Sequence, residues 1–141
     1  MYINRFTEIC AKLIEKQVLK PNLSWRERRN FSIKIGDTFG STDVTAITIT
    51  DMANAFCCSI DTRDIFNGYK NKQITKAEAF AAVVDQGKEA FNYIRTSVAA
   101  RERNIEAAMQ DLIEKGKEAI IDTMSDDELN RYAEEHNLVP Y

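Results

Sequence analysis

The residues best suited to bind another molecule are a tryptophan and three arginines near the N-terminus. Trp25 is followed by Arg26, Arg28 and Arg29, so one large aromatic ring lies among three guanidinium groups. Tryptophan rings stack on planar groups, and guanidinium groups form paired hydrogen bonds with carboxylates and phosphates. The cluster therefore predicts a partner-binding surface that contacts either an acidic protein surface or a nucleic acid.

Residues that could support catalysis are few. A Cys–His or Ser–His nucleophile pair would depend on the single histidine, His136, near the C-terminus. Gly36 and Gly40 lack the third glycine and the following lysine of a phosphate-binding loop. The acidic run at 126–128 is explained as the first turn of a helix, where the helix dipole favours negative charge. We therefore expect no enzymatic activity, no cofactor and no metal site.

The three cysteines indicate a reducing compartment. Cys57 and Cys58 are adjacent, and neighbouring cysteines rarely form a disulfide, which leaves Cys10 without a partner for a disulfide bond.

The apolar runs of the chain are far shorter than the roughly 20 residues of a membrane helix. The segment Met1–Lys20 contains acidic residues and lacks the small-residue cleavage site of a secretory signal. We therefore expect a cytoplasmic protein without membrane contact.

Charge is unevenly distributed along the chain. The formal net charge is −3, with residues 1–75 at +3 and residues 76–141 at −6. Such asymmetry can steer a charged partner to one face of a protein. Nucleic-acid binding is less favoured than protein binding, because every phosphate contact requires a cation and the chain is acidic overall.

The segment Asp51–Gly68 supports the alternative of DNA binding. Several of its residues resemble the spacing of a helix-turn-helix; they are Met52, Ala53, Phe56, Ser59, Thr62 and Phe66. The resemblance implies a transcriptional regulator whose second helix contacts the major groove.

The first elements follow from two different hydrophobic periods. Apolar residues at helical spacing predict an amphipathic helix over residues 3–19, which Pro21 ends. Alternation over residues 31–35, and β-branched residues over 44–50, predict a two-stranded hairpin with a turn that includes Gly40 and Ser41. The alternative for this segment is a helix that begins at the capping box Ser24–Glu27 and ends at Gly36.

Helix-capping residues punctuate the rest of the chain. Asp51 is expected to cap a short helix through Phe56, and Ser59 or Asp61 another that ends at 67–68. Capping boxes at 75–78 and 125–128 predict the starts of a long helix and of a short final helix.

The long helix contains a row of apolar residues at every seventh position; they are Val84, Phe91, Val98, Ile105 and Leu112. A continuous helix from Lys76 to Ile113 would measure about 57 Å. A compact domain of this chain length has a diameter of only about 40 Å. We therefore expect another copy of the chain to cover the overhanging part, which predicts a homo-oligomer with a dimer favoured. The row then serves partly as core and partly as oligomer contact.

Together these features predict an α+β domain, mostly α, that spans residues 1–141. It comprises an N-terminal helix over 1–20, a mixed segment with a small hairpin and short helices over 24–74, and a long helix plus a terminal helix over 75–141. In size, acidity and lack of catalytic residues the chain is similar to small accessory proteins of bacteriophages, some of which block a host protein or nucleoprotein complex. This general similarity implies an interaction protein or inhibitor.

Overall fold

A computed structural model of the chain describes residues 1–37 and 42–138. Its contacts divide into two compact units, Met1–Arg95 and Thr96–Tyr141. The first unit combines helices with a three-stranded antiparallel sheet, and the described part of the second contains helices without strands. The fold class, α+β and mostly α, is confirmed. The single domain over residues 1–141 stays a prediction.

The predicted amphipathic first helix is confirmed. Helix α1 (Ile3–Ile14) continues through a π-helical stretch, Glu15–Leu19, into the short helix α2 (Lys20–Asn22). Apolar residues at helical spacing bury one face of this segment; they are Ile3, Phe6, Cys10, Ile14 and Val18. Helical backbone ends one residue after Pro21, since Leu23 has extended dihedral angles.

The predicted hairpin is confirmed and forms part of a larger sheet. Strands β1 (Phe31–Asp37) and β2 (Val44–Asp51) pair antiparallel, and β3 (Phe56–Asp61) pairs with the other side of β2. The order β1-β2-β3 makes β1 and β3 the two edges of the sheet. The turn predicted at Gly40 and Ser41 lies outside the described residues.

Strand β3 occupies a region where helices were predicted, and the short helix from Asp51 through Phe56 was a wrong prediction. The buried Asp51 carboxylate accepts hydrogen bonds from the backbone N–H of Asn54 at 3.3 Å and from its side-chain amide at 2.9 Å. Ala55 follows with a φ of 57°. Asp51 therefore closes a tight turn, and the chain reverses direction to pair with β2. The helix-turn-helix interpretation of Asp51–Gly68 is corrected as well, because a strand lies where its first helix was expected.

The second short helix is confirmed as α4 (Arg63–Lys70), although it begins after Thr62 rather than at Ser59 or Asp61 and ends at Lys70 rather than at 67–68. The Thr62 hydroxyl is buried and donates to the Thr45 carbonyl at 3.0 Å. It also forms a 2.7 Å hydrogen bond with the Thr7 hydroxyl. These bonds connect the start of α4 to β2 and α1.

Helix α5 (Lys76–Glu114) is continuous over 39 residues and begins at the predicted capping box. The Glu78 N–H donates to the Thr75 hydroxyl and the Thr75 N–H donates to the Glu78 carboxylate, both at 3.1 Å. Gly87 lies where α1 and α5 approach closely, since a Cβ at this position would be 2.8 Å from Cγ1 of Ile14.

The second unit is built from the later turns of α5, from α6 (Glu118–Ile121) and from α7 (Asp126–Glu135). Helix α7 begins at the predicted capping box of Ser125 and Glu128. Its buried core consists of Ala108, Leu112, Leu129 and Ala133. The C-terminal helix α7 therefore packs on α5 and covers part of its apolar face.

The residues predicted as an oligomer contact are used mainly within the chain. Val84 and Phe91 are buried in the first unit, and Leu112 is buried in the second. Ile105 packs against the second core, and Val98 is half-buried. The homo-oligomer stays a prediction. Within the second unit, α7 covers part of the face of α5 for which the sequence predicted a mixed role as core and oligomer contact.

Candidate partner-binding site around Trp25

The tryptophan and arginines lie on and beside a short helix, α3 (Trp25–Arg28), which begins at a complete capping box. The Glu27 N–H donates to the Ser24 hydroxyl at 3.2 Å, and the Ser24 N–H donates to the Glu27 carboxylate at 3.0 Å. Strand β1 begins at Phe31, so the alternative of one helix from this capping box to Gly36 does not form, and the capping box begins only a four-residue helix. The capping box fixes the direction in which the chain enters α3.

Two ionic side chains fasten α3 to its surroundings. Arg28 donates from Nη2 to the Lys20 carbonyl at 2.7 Å. On the preceding residue, Glu27 forms an ion pair with Arg95 of α5, with Nη1 of Arg95 and Oε2 of Glu27 2.7 Å apart. Arg95 also lies over the rings of Phe31 and Phe91, with its Cζ 5.6 and 5.2 Å from their centroids. A helix of only four residues is thus held by contacts with neighbouring elements.

The electrostatic consequence is that Glu27 keeps its charge. The hydrogen bond from Arg95, followed by that from the Ser24 backbone, lowers the pKa of Glu27 from 4.5 to about 2. Its negative charge is matched by Arg95 and does not neutralise Arg26 or Arg29 by direct pairing in this arrangement.

The outward side of α3 presents an aromatic ring and guanidinium groups to solvent. Trp25 is 61% exposed. The Arg29 guanidinium lies over its ring, with Cζ 4.5 Å from the centroid. Arg26 is exposed as well. A tryptophan with one covered and one open face can stack on a planar group or fill a pocket of a partner.

The four predicted residues have different surroundings in the structure. Trp25 and Arg29 contact each other, and Arg26 is exposed beside them. The Arg28 hydrogen bond to the Lys20 carbonyl instead makes Arg28 a positioning residue for α3. Sequence reasoning missed Arg95, because nothing in the local pattern of α5 relates it to Glu27.

A groove of about 300 Å³ lies next to this surface. It is lined by Glu15, Leu19, Lys20, Leu23, Arg28, Phe31, Ser32 and Ile33. Its walls are therefore the end of the N-terminal helical segment on one side and the first residues of β1 on the other. Arg28 lines the groove and also fixes α3, so the groove and the Trp25 surface share a residue.

Residues considered for catalysis have ordinary structural surroundings. Burial raises the pKa of the Cys10 thiol to about 12, which disfavours the reactive thiolate. His136 stacks on Tyr132 with ring centroids 4.0 Å apart, and its Nδ1 lies 2.8 Å from the Tyr132 carbonyl oxygen. Over residues 1–37 and 42–138, no group of three or more His, Cys, Asp or Glu side chains is placed to hold a metal ion.

Among the described helices, none has the length and apolar composition required to cross a bilayer.

Comparison with known proteins adds no relative to this picture: no protein-family model, no curated protein and no solved structure matches the chain.

Proposed function

We propose that this chain is a non-enzymatic interaction protein that binds an acidic surface of a partner protein and thereby blocks it, in the manner of small bacteriophage accessory proteins. Trp25, Arg26 and Arg29 form the contact surface, which we call the Trp25 surface, and Arg28 positions it. The observation that carries the proposal is the 61% exposure of Trp25, beneath a guanidinium group, on a helix fastened at both ends.

Side chains of the types found in the Trp25 surface contribute strongly to protein interfaces. Tryptophan and arginine are enriched among the few residues that supply most of the binding free energy of protein complexes. The capping box and the Glu27–Arg95 ion pair restrict α3 before any partner arrives. Restricting the contact residues in advance reduces the entropy lost on binding.

The charge of the surrounding segment favours an acidic partner. Residues 15–34 contain six basic and two acidic residues, whereas the rest of the chain contains 13 basic and 20 acidic residues. One of the two acids, Glu27, is paired with Arg95. A basic segment on an acidic protein steers an acidic partner toward the segment and repels it elsewhere.

The test is affinity capture from a lysate of the host cells, with wild type, Trp25→Ala and Tyr93→Ala compared. Tyr93 is the matched control, because it is an aromatic residue of 60% exposure outside the Trp25 surface. We expect the same partner with wild type and Tyr93→Ala, and at least about tenfold less with Trp25→Ala. Retention of the partner by Trp25→Ala would contradict the proposal.

Intrinsic fluorescence provides a direct second measurement. Trp25 is the only tryptophan of the chain, so every change in tryptophan emission upon adding a tryptophan-free fragment of the partner arises from this surface. Burial of the ring should shift the emission to shorter wavelength.

Binding of duplex DNA with a steep salt dependence, in place of a captured protein, would instead support the DNA-binding alternative.

A further inference from the structure

The groove beside β1 gives access to the edge of the sheet rather than to one of its faces. Consecutive side chains of a strand point to opposite faces, yet Phe31, Ser32 and Ile33 all line the groove. Further along the same strand, Lys34 and Ile35 are both exposed although they too point to opposite faces. No described strand lies beyond β1. This edge therefore offers unpaired backbone groups to an additional strand.

The groove combines an apolar lining with basic residues. Leu19, Leu23, Phe31 and Ile33 supply the apolar part, and the basic groups are Lys20 and Arg28. One acid, Glu15, also lines it. Lys34 adds an exposed positive charge on the edge strand itself. An extended segment that alternates apolar and acidic side chains would match this lining, because one set of side chains enters the groove and the other meets the cations.

Building on the proposed function, we propose that this groove binds an extended acidic segment of the partner protein, which adds to β1 as a fourth strand. Main-chain hydrogen bonds to β1 supply part of the affinity, and the apolar lining and the basic residues select the sequence. A peptide fits better than a nucleic acid, because the lining includes four apolar side chains and a strand edge that phosphates cannot use. A second copy of the chain fits less well, because a lysine on an edge strand disfavours self-pairing.

The experiment selects short random peptides on the immobilised full-length chain and measures the affinity of a synthetic, dye-labelled version of the most enriched sequence. We expect enriched peptides that alternate apolar and acidic residues. Lys20→Glu and Lys34→Glu should each weaken binding about tenfold, whereas Lys72→Glu, an equal change of charge at an exposed lysine outside the groove, should leave it unchanged. Equal loss in all three variants would overturn the proposal, because it would indicate non-specific attraction.

Strand addition is tested by methylating backbone nitrogens of the peptide. Only every second N–H of an added strand points toward β1, so methylation of one alternate set should abolish binding and methylation of the other set should preserve it. Equal tolerance of both sets, or enrichment of peptides without this alternation, would overturn the proposal. So would self-association that Lys34→Glu abolishes, or single-stranded nucleic acid bound in place of peptides.

These results remain separable from those on the Trp25 surface. If strand addition fails while Trp25→Ala still loses the captured partner, the groove proposal alone is wrong. If the peptide binds as described while capture is insensitive to Trp25→Ala, the Trp25 surface is wrong and the groove stands as a binding site.

Discussion

The two compact units differ in how they are stabilised. Of the 22 buried apolar residues in the described part of the chain, only four lie in the second unit, and two of those are alanines. The first unit buries three aromatic rings, Phe6, Phe66 and Phe91, together with apolar residues of the sheet. Because burial of apolar area is the main stabilising contribution, the unit that carries Trp25 should be much the more stable.

This difference bears on function, because a contact surface is useful only if its support is rigid. Helix α3 has four residues and no buried side chain of its own, so its position depends on Lys20, Arg95 and β1. All of these belong to the well-packed unit. The second unit should open at a lower free energy and is suited to a role that tolerates movement.

The largest expected effect is from Phe6→Ala. Phe6 is fully buried and its ring contacts those of Phe66 and Phe80, at centroid distances of 5.3 and 5.0 Å. We expect a loss of about 3–5 kcal/mol in the free energy of unfolding. Urea denaturation followed by Trp25 fluorescence measures it, with the 85% exposed Tyr2 changed to alanine as the control. A loss similar to that of Tyr2→Ala would show that the aromatic cluster is not the centre of this core.

Leu112→Ala tests whether the units are independent. Leu112 is 2% exposed in the small core of the second unit, and we expect a loss of about 2–4 kcal/mol there. Hydrogen exchange of α7 should report this loss, while the Trp25 fluorescence transition should not move. The control is Ile113→Ala, because Ile113 follows Leu112 in the chain but is 50% exposed. An equal shift of the Trp25 transition would show one cooperative domain over residues 1–141, as the sequence predicted.

Gly87→Ala tests the close packing of α1 on α5. Alanine is favoured over glycine within a helix by about 1 kcal/mol, but its Cβ would approach Cγ1 of the fully buried Ile14 to 2.8 Å. Because overpacking of a core costs about 1–3 kcal/mol, we expect a net loss of about 1 kcal/mol in the Trp25 transition. At Gly36, where no atom lies within 4 Å of an added Cβ, the same substitution should change stability by less than about 0.5 kcal/mol. A stabilised Gly87→Ala variant would show that Ile14 can move aside.

The difference between local and distant interactions explains which elements could be predicted from the sequence. The capping boxes of α5 and α7, the period of α1 and the alternation in β1 are local signals, and the elements they predicted are present. The capping box at Ser24 begins only the four-residue helix α3, not the helix to Gly36 that was the alternative to the hairpin. Strand β3 was missed because Asp51 is equally suited to cap a helix or to close a turn, and only pairing with β2 decides between them. The cover that α7 gives α5 was missed because a heptad row does not specify which helix packs on it.

The candidate site was predicted only in part for the same reason. The grouping of Trp25 with three arginines is visible in the sequence, and Trp25, Arg26 and Arg29 are exposed in the structure. The separate task of Arg28 depends on a carbonyl eight positions earlier. The groove depends on β1 being the edge strand, which follows from the sheet order and not from the sequence of β1.

The smallest expected effect is the contribution of the Glu27–Arg95 ion pair to the stability of the first unit. Its pH dependence should appear in the Trp25 transition, which reports on that unit. Because the pKa of Glu27 falls from 4.5 to about 2 on folding, the stabilisation that its charge contributes is fully present above pH 4.5 and is lost as the pH falls through about 2. Both side chains are about 40% exposed, so solvent screening limits the contribution to about 0.5–1 kcal/mol. Wild type should therefore exceed Glu27→Gln in stability at pH 7, and the difference should vanish as the pH falls below about 2, as measured by Trp25 fluorescence.

The control for this measurement is Glu89→Gln, an equal change at an exposed carboxylate of α5. The pKa of Asp111 in the second unit is also lowered, by hydrogen bonds from Tyr132 and Lys115, so acid weakens that unit too. The Trp25 signal should not register this second loss if the units unfold separately. A pH dependence of the Trp25 transition that persists unchanged in Glu27→Gln would mean that α3 is held by Arg28 and its capping box alone, and that Arg95 does not contribute to the rigidity of the Trp25 surface.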